Sequence, residues 1–317
     1  MSKITNAPAK GDLVEKAVSI CRESLNRVSD AHDVNLYRFK ELAEEMALTT
    51  EPSDSIEELK TKYEAIREQL LATFNDSLGS RASGFANASD EAARAAALGY
   101  FLKTLCGEAE RLGAGIKPES LFDTEPSPDV QRIAYIKNAI SDEAYRKFSK
   151  HLKKPSVIYP QSFLAACEEV YYGRVEYCIL PYETSDEGIL SGFMKLIRKY
   201  ELVPICICSV DGDKNVTKLA LLGRSYSSEF SFTEKKYLKI TVDSIDRFSF
   251  LRLFSVAESM NLMPCKSESV PVSWNEGRFG ISVTFDANAE NVVPFLLYVA
   301  LEMPECSDKI LYGELAD

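Results

Sequence analysis

The period of the hydrophobic pattern changes once along this chain, at the proline-bearing stretch KPESLFDTEPSPDV, and that change limits what the chain can fold into. Before it, apolar residues recur at steps of three and four. One run is Val14, Val18, Cys21, Leu25 and Val28; a second is Ile56, Leu59, Tyr63, Ile66 and Leu70; a third is Ala95, Leu98, Leu102, Leu105, Ala109 and Leu112. Each run makes one apolar stripe along a helix. A shorter amphipathic piece carries Leu36, Phe39, Ala43 and Met46, and the turn TTEPSDS after it offers Ser53 or Ser55 as a helix cap. Four helices, as a bundle or a helical arm, are therefore expected over residues 1–117, followed by a linker over 118–130.

Beyond the linker the pattern alternates between short β-rich runs and helical runs. RIAYI, SVIYP, VEYCILP and LVPICICSV read as strands, separated by helices in SDEAYRKFSKHL, SFLAACEEVYYG and GILSGFMKLIRKY; KLALLGRS adds another strand. Such alternation predicts a mixed or parallel sheet covered by helices, an α/β lobe over residues 131–228. From Tyr237 the order becomes strand, helix, strand, strand, helix, strand, which is the βαββαβ plan of ferredoxin-like folds, over residues 229–317. The expected class is thus a multidomain α+β or α/β protein with a helical part in front.

Charge and cysteine usage narrow the partners. The 317 residues carry 37 Lys plus Arg against 48 Asp plus Glu, a net charge of -11, so a polyanion is repelled and nucleic acid is not an expected partner. Neither a secretory leader nor a bilayer-spanning apolar run is read, which predicts a cytoplasmic protein with no membrane partner. The 8 Cys are scattered, and only Cys206 and Cys208 lie close together. Without a second nearby pair they make no zinc site, so reduced, mostly buried thiols are expected, with no metal and no cofactor.

In the α/β part the text Gly173-Arg-Val-Glu176-Tyr-Cys-Ile-Leu-Pro181-Tyr182-Glu183-Thr184-Ser185-Asp-Glu-Gly188 resembles the central motif of prephenate dehydratases, Gly-x-Ala-Asp-x-x-x-x-Pro-Ile-Glu-Asn-Ser. Ser141 falls on the family's upstream serine. Asn215-Val216-Thr217-Lys218-Leu219 falls on its Asn-x-Thr-Arg-Phe, with Lys where the family has Arg. The C-terminal part resembles the family's ACT domain, with Asn261-Leu262 on an Asn-Leu pair and Glu268-Ser269-Val270-Pro271 on Glu-Ser-Arg-Pro.

The resemblance implies a division of labour among these residues. Thr217 would donate a proton to the leaving hydroxyl, Lys218 would pair with a carboxylate, and Ser141, Glu183, Thr184 and Ser185 would form a hydrogen-bonding rim. Asn261, Leu262, Glu268 and Ser269 would belong to a ligand site for an aromatic amino acid, and the ACT-like part would form a homodimer. One departure matters most. The family carries a second α/β lobe between the strand matching LVPICICSV and the Asn-x-Thr segment, whereas only Asp211, Gly212, Asp213 and Lys214 stand there in this chain. The expectation is consequently a degenerate, non-catalytic dehydratase-like protein with a regulatory module that binds an aromatic amino acid or a protein partner. Two alternatives stand beside it: an active prephenate dehydratase whose missing wall comes from the N-terminal helices or a second subunit, and a helical interaction protein whose C-terminal modules only mediate assembly.

Overall fold

Helices do form where the steps of three and four recur. The computed structural model describes residues 32–51, 54–77, 88–116, 121–122, 128–212, 215–227, 235–242, 248–271, 279–287 and 291–315. Three long helices occupy the first third: α1 (His32–Leu48), α2 (Ile56–Ser77) and α3 (Ala88–Arg111). The run from Val14 to Val28 and most of the 118–130 linker lie outside the described residues. Of the two serines proposed as caps, Ser53 lies outside the described residues and Ser55 caps α2. Its hydroxyl accepts from the Glu58 N–H at 3.3 Å while the Glu58 carboxylate accepts from the Ser55 N–H at 2.7 Å, a reciprocal capping box.

The chain divides into two compact units. The helical unit comprises residues 1–121 with 245–263 and 290–305; the sheet unit comprises 122–244, 264–289 and 306–317. Two C-terminal helices, α7 (Ser249–Ser259) and α8 (Val292–Glu302), thus belong with the N-terminal ones. The centre of the helical unit is α3, which packs against α1, α7 and α8. Its alanines make this possible, because Ala92, Ala93, Ala95, Ala96 and Ala97 are all buried and let neighbouring backbones approach. At Gly99 the approach to α7 is close: an added Cβ would lie 3.0 Å from Val256 Cγ1 and 3.2 Å from Ser259 Oγ.

The sheet unit holds a mixed sheet of ten strands in the order β2-β1-β3-β6-β5-β10-β7-β9-β8, with the short β4 paired to β3. The strands are β1 (Arg132–Ala134), β2 (Ser156–Ile158), β3 (Tyr177–Thr184), β4 (Gly188–Ile189), β5 (Val203–Asp211), β6 (Val216–Gly223), β7 (Lys235–Val242), β8 (Pro264–Pro271), β9 (Phe279–Asp286) and β10 (Cys306–Glu314). Interleaved with the first five are α4 (Ala139–Ser149), α5 (Phe163–Tyr171) and α6 (Ser191–Lys199). The β1–β2, β1–β3 and β5–β10 pairs are parallel and the others antiparallel. Strands β7 to β10 take the order 10-7-9-8, the arrangement that a βαββαβ chain produces in ferredoxin-like sheets. One strand was not foreseen: Gly188–Ile189, read as the start of a helix, pairs with Glu183 and Thr184 first, and the helix begins at Ser191.

Strands β3, β5 and β6 are apolar on both faces because both are covered. One face packs Cys178, Leu180, Ile207, Ala220 and Leu222 under Ala166, Cys167 and Val170 of α5 and Met194 and Ile197 of α6. The other packs Ile179, Cys206, Cys208, Leu219 and Leu221 under Ala144 and Phe148 of α4. Cys206 and Cys208 share that second face, as their spacing requires. All seven cysteines among the described residues are free thiols, and burial pushes the Cys106 thiol up to about 12. No helix among the described residues is long and apolar enough to cross a membrane.

Replacing Gly99 by valine forces a branched side chain into the α3–α7 contact. The expected cost is about 1–3 kcal/mol, read as a lower urea midpoint with unchanged slope; an unchanged midpoint would mean the two helices separate there freely.

Candidate functional site

The residues singled out from the sequence are brought together chiefly by one strand pairing. In the β3–β6 ladder Glu183 stands opposite Lys218 and Thr184 opposite Thr217. Just past the strand end the Ser185 N–H donates to the Val216 carbonyl at 3.0 Å, and the Ser185 hydroxyl accepts from the Val216 N–H at 3.3 Å. Five of the six dehydratase-type positions therefore meet although more than thirty residues separate them along the chain.

Strand alternation then divides them. Thr217 shares its parity with Leu219 and Leu221, on the face that α4 covers, and is buried; Thr184 is its directly paired neighbour. Ser141 is buried on α4, where its N–H donates to the Asn138 side chain at 2.9 Å, so that Asn138 caps the helix. Lys218 and its partner Glu183 go with Ala220 and Leu222 to the opposite face. Hydroxyl groups and charged groups are thus sorted to opposite sides of one layer of backbone.

On the charged side every member has a partner. Lys218 Nζ donates to Glu314 Oε1 at 2.8 Å, and Lys266 Nζ lies 2.8 Å from Glu183 Oε2 and also contacts Glu268. Glu268 faces Lys239 at 3.7 Å, and Lys239 Nζ donates to the Tyr182 hydroxyl at 3.0 Å. Lys239 sits in a central strand with its side chain 2% exposed. An ammonium there is tolerable only because a carboxylate and a phenol oxygen replace its water. Burial, with Tyr182 and Glu268 beside it, holds the Tyr312 hydroxyl well above its ordinary pKa, and burial followed by the Glu314 charge raises that of Tyr237. Burial alone would lower the Lys266 pKa, but its hydrogen bonds to Glu183 and Glu268 raise it.

Lys239 was not singled out from the sequence. In KKYLKITV the alternation sends Leu238, Ile240 and Val242 to one face and Tyr237, Lys239 and Thr241 to the other, so Lys239 reads as solvent-facing. Its burial comes from tertiary packing that brings Tyr182 of β3 and Glu268 of β8 to its ammonium.

At the start of α4 a groove of about 700 Å³ is lined by Asn138, Ala139, Ile140, Glu143, Lys147, Val210, Asp211 and Gly212. It lies at the β5–β6 hairpin, and neither Thr217 nor Ser141 lines it. The hairpin is tight, with the Gly212 N–H donating to the Asn215 carbonyl at 2.9 Å; a Cβ on Gly212 would strike that same oxygen. Asp213 and Lys214 lie outside the described residues.

Of the four residues assigned to an amino-acid site, Asn261 is the left-handed residue ending α7, at φ +56°, with its N–H donating to the Glu258 carbonyl. Leu262 is buried and donates to the Ala257 carbonyl. Glu268 belongs to the charged network and Ser269 is exposed on β8. Glu176, within the dehydratase-like motif, receives the Arg132 N–H at 2.6 Å and its guanidinium at 2.8 Å. Among the described residues no three His, Cys, Asp or Glu side chains gather as metal ligands.

No family model matches the chain, and no curated protein matches it. Among solved structures it is similar to a prephenate dehydratase from Streptococcus mutans, at 17% identity and a TM-score of 0.47, over 59% of this chain and 100% of that one. A quorum-quenching acylase matches at 16% identity and a TM-score of 0.41, over 58% of this chain and 95% of the other. The prephenate dehydratase of Arthrobacter aurescens in complex with L-Phe matches at 13% identity and a TM-score of 0.39, over 57% and 89%.

Two outcomes follow from the charged face. Glu268→Gln leaves the Lys239 ammonium buried without its carboxylate and lowers stability by about 3–5 kcal/mol, whereas adding Lys239→Met to it recovers most of that loss in the same urea titration; a double variant as unstable as the single one would mean that packing, not charge, sets the cost. For Glu176, burial alone would raise the carboxyl pKa, but the hydrogen bonds and charge of Arg132 outweigh it and the pKa is lowered. Its stabilisation is therefore complete above the unfolded value of about 4.3 and is lost as pH falls through the folded value. Glu176→Gln makes the acid limb of the stability profile shallower, and an unchanged limb would contradict the linkage.

Proposed function

We propose that this chain is a non-catalytic, dehydratase-like protein whose βαββαβ portion acts as an ACT-type regulatory module, binding an aromatic amino acid or a protein partner and pairing as a homodimer in the cytoplasm. The observation that carries the reading is the hairpin between β5 and β6. Asp211 pairs with Val216 and Val210 with Thr217, so the chain returns within a few residues where the dehydratase pattern inserts a whole lobe.

The chemistry of the lost lobe explains why this matters. Removing carbon dioxide and hydroxide from prephenate calls for a proton donor and for two carboxylates held in a dry cleft. A one-sided surface stays wet, and a charge pair in water contributes about 1 kcal/mol at contact. Since about 1.4 kcal/mol is a factor of ten in rate, each lost clamp removes an order of magnitude or more. The geometry adds a second argument. Lys218 already holds Glu314 and Glu183 already holds Lys266, on the face opposite Thr217. Lys in place of Arg also gives up the planar fork that holds a carboxylate by two hydrogen bonds.

Purified full-length protein is expected to leave prephenate unconverted above the spontaneous rate, monitored by phenylpyruvate absorbance. Robust turnover that disappears in Thr217→Ala would overturn the non-catalytic reading in favour of an active dehydratase.

A further inference from the structure

The helical unit contains a hollow of about 390 Å³ that no part of the dehydratase-like reading uses. Arg67 of α2, Glu91, Arg94, Ala95 and Leu98 of α3, Arg252 of α7 and Tyr298 and Glu302 of α8 line it, with Pro304 and Glu305 closing one end. Its volume falls in the roughly 300–1,000 Å³ range of small-molecule sites. It brings three guanidinium groups and three carboxylates to one place, a balance that leaves a dianion or a dication uncompensated and admits a ligand of zero net charge.

Two of the three charge pairs are fully made. Glu302 receives Arg67 through two hydrogen bonds, at 2.7 and 2.9 Å, and the Tyr63 hydroxyl at 2.8 Å. Glu305 receives Arg252 at 2.6 Å. The third pair is different. Glu91 lies 4.0 Å from Arg94 and 3.8 Å from Arg252, beyond hydrogen-bond reach of either, although its side chain is only 15% exposed. Its carboxylate keeps acceptor sites and the Arg94 guanidinium keeps donors, one turn apart on the same helix wall. Next to them, Ala95, Leu98 and Tyr298 are buried and supply an apolar floor.

We propose that this hollow binds an α-amino acid with an apolar side chain, its carboxylate accepting from Arg94, its ammonium donating to Glu91 and its side chain on Ala95, Leu98 and Tyr298. A ligand that carries opposite charges on neighbouring atoms completes both groups at once, which neither a plain carboxylate nor a plain amine does. The Arg67–Glu302 pair, shared with a second hollow lined by Lys60, Tyr63, Glu64 and Glu68, forms the far wall. The proposal goes beyond the regulatory reading and does not rest on it.

The test is calorimetric titration of the full chain with L-phenylalanine and L-leucine, and with hydrocinnamate and phenethylamine, which keep one charge each. At least one amino acid should bind, Arg94→Gln and Glu91→Gln should each weaken it about tenfold or more, and the one-charge analogues should be weaker by a similar factor. Unchanged melting temperatures of the ligand-free variants would show that both remain folded; should a variant not fold, the analogue series still decides. Absence of binding by both amino acids at millimolar concentration overturns the proposal, as does an analogue that binds as tightly as its parent. Phenylalanine binding that survives both substitutions also overturns it, while leaving an ACT-type site elsewhere in the chain intact.

Discussion

The placement of β6 between β3 and β5 is the constraint from which the rest of the sheet follows. A four-residue connection, Gly212 to Asn215 in the sequence, can only fold back antiparallel, so β6 must pair with β5 along its length. Its second edge takes β3, and with β3 come β1 and β2 in parallel array. That leaves the outer edge of β5 for the end of β10, through which β7, β9 and β8 continue the same sheet. Three strands in the middle are covered on both sides, which explains why VPICICSV and VTKLALLG are apolar almost throughout instead of alternating.

Continuity of the sheet has an electrostatic consequence. A face of β7 and β8 that carries Lys239, Lys266 and Glu268 is packed beside strands whose own side chains are Tyr182, Glu183 and Lys218. Water is partly excluded, and the charges answer by pairing with one another. Such a network is tolerable as long as each member keeps its partner, and it ties strands that are distant in sequence to one register. Side chains engaged in this way are poorly available to a substrate carboxylate, which is why the same residues that resemble a catalytic motif support a non-enzymatic proposal. In the helical unit the balance is otherwise similar, with Arg67, Arg94 and Arg252 set against Glu91, Glu302 and Glu305, but one pair there stands too far apart to hydrogen bond.

Much of the architecture was legible in the hydrophobic period. The stripes at Ile56–Leu70 and Ala95–Leu112 became helices, and each β-rich run after Arg132 became a strand. Ser53 or Ser55 could be named as a cap because serine suits the turn before a helix, but the reciprocal bonding of Ser55 with Glu58 came only with the structure. The short strand at Gly188–Ile189 was not legible, since two residues carry no period. Nor was the inclusion of α7 and α8 in the helical unit, for an apolar stripe reports that a helix is buried and not by what.

The sequence by itself determined most of the helices and strands, and the short return after Asp211, because local periodicity and connection length act through neighbouring residues. Only the tertiary structure decided which side chains meet. It set Glu183 across from Lys218, sent Thr217 to the other face, buried Lys239 beside Tyr182 and Glu268 and left Glu91 and Arg94 short of a hydrogen bond. The reason is physical: pairing across strands and packing between helices depend on register and proximity between residues far apart in the chain, and neither quantity is written in local composition.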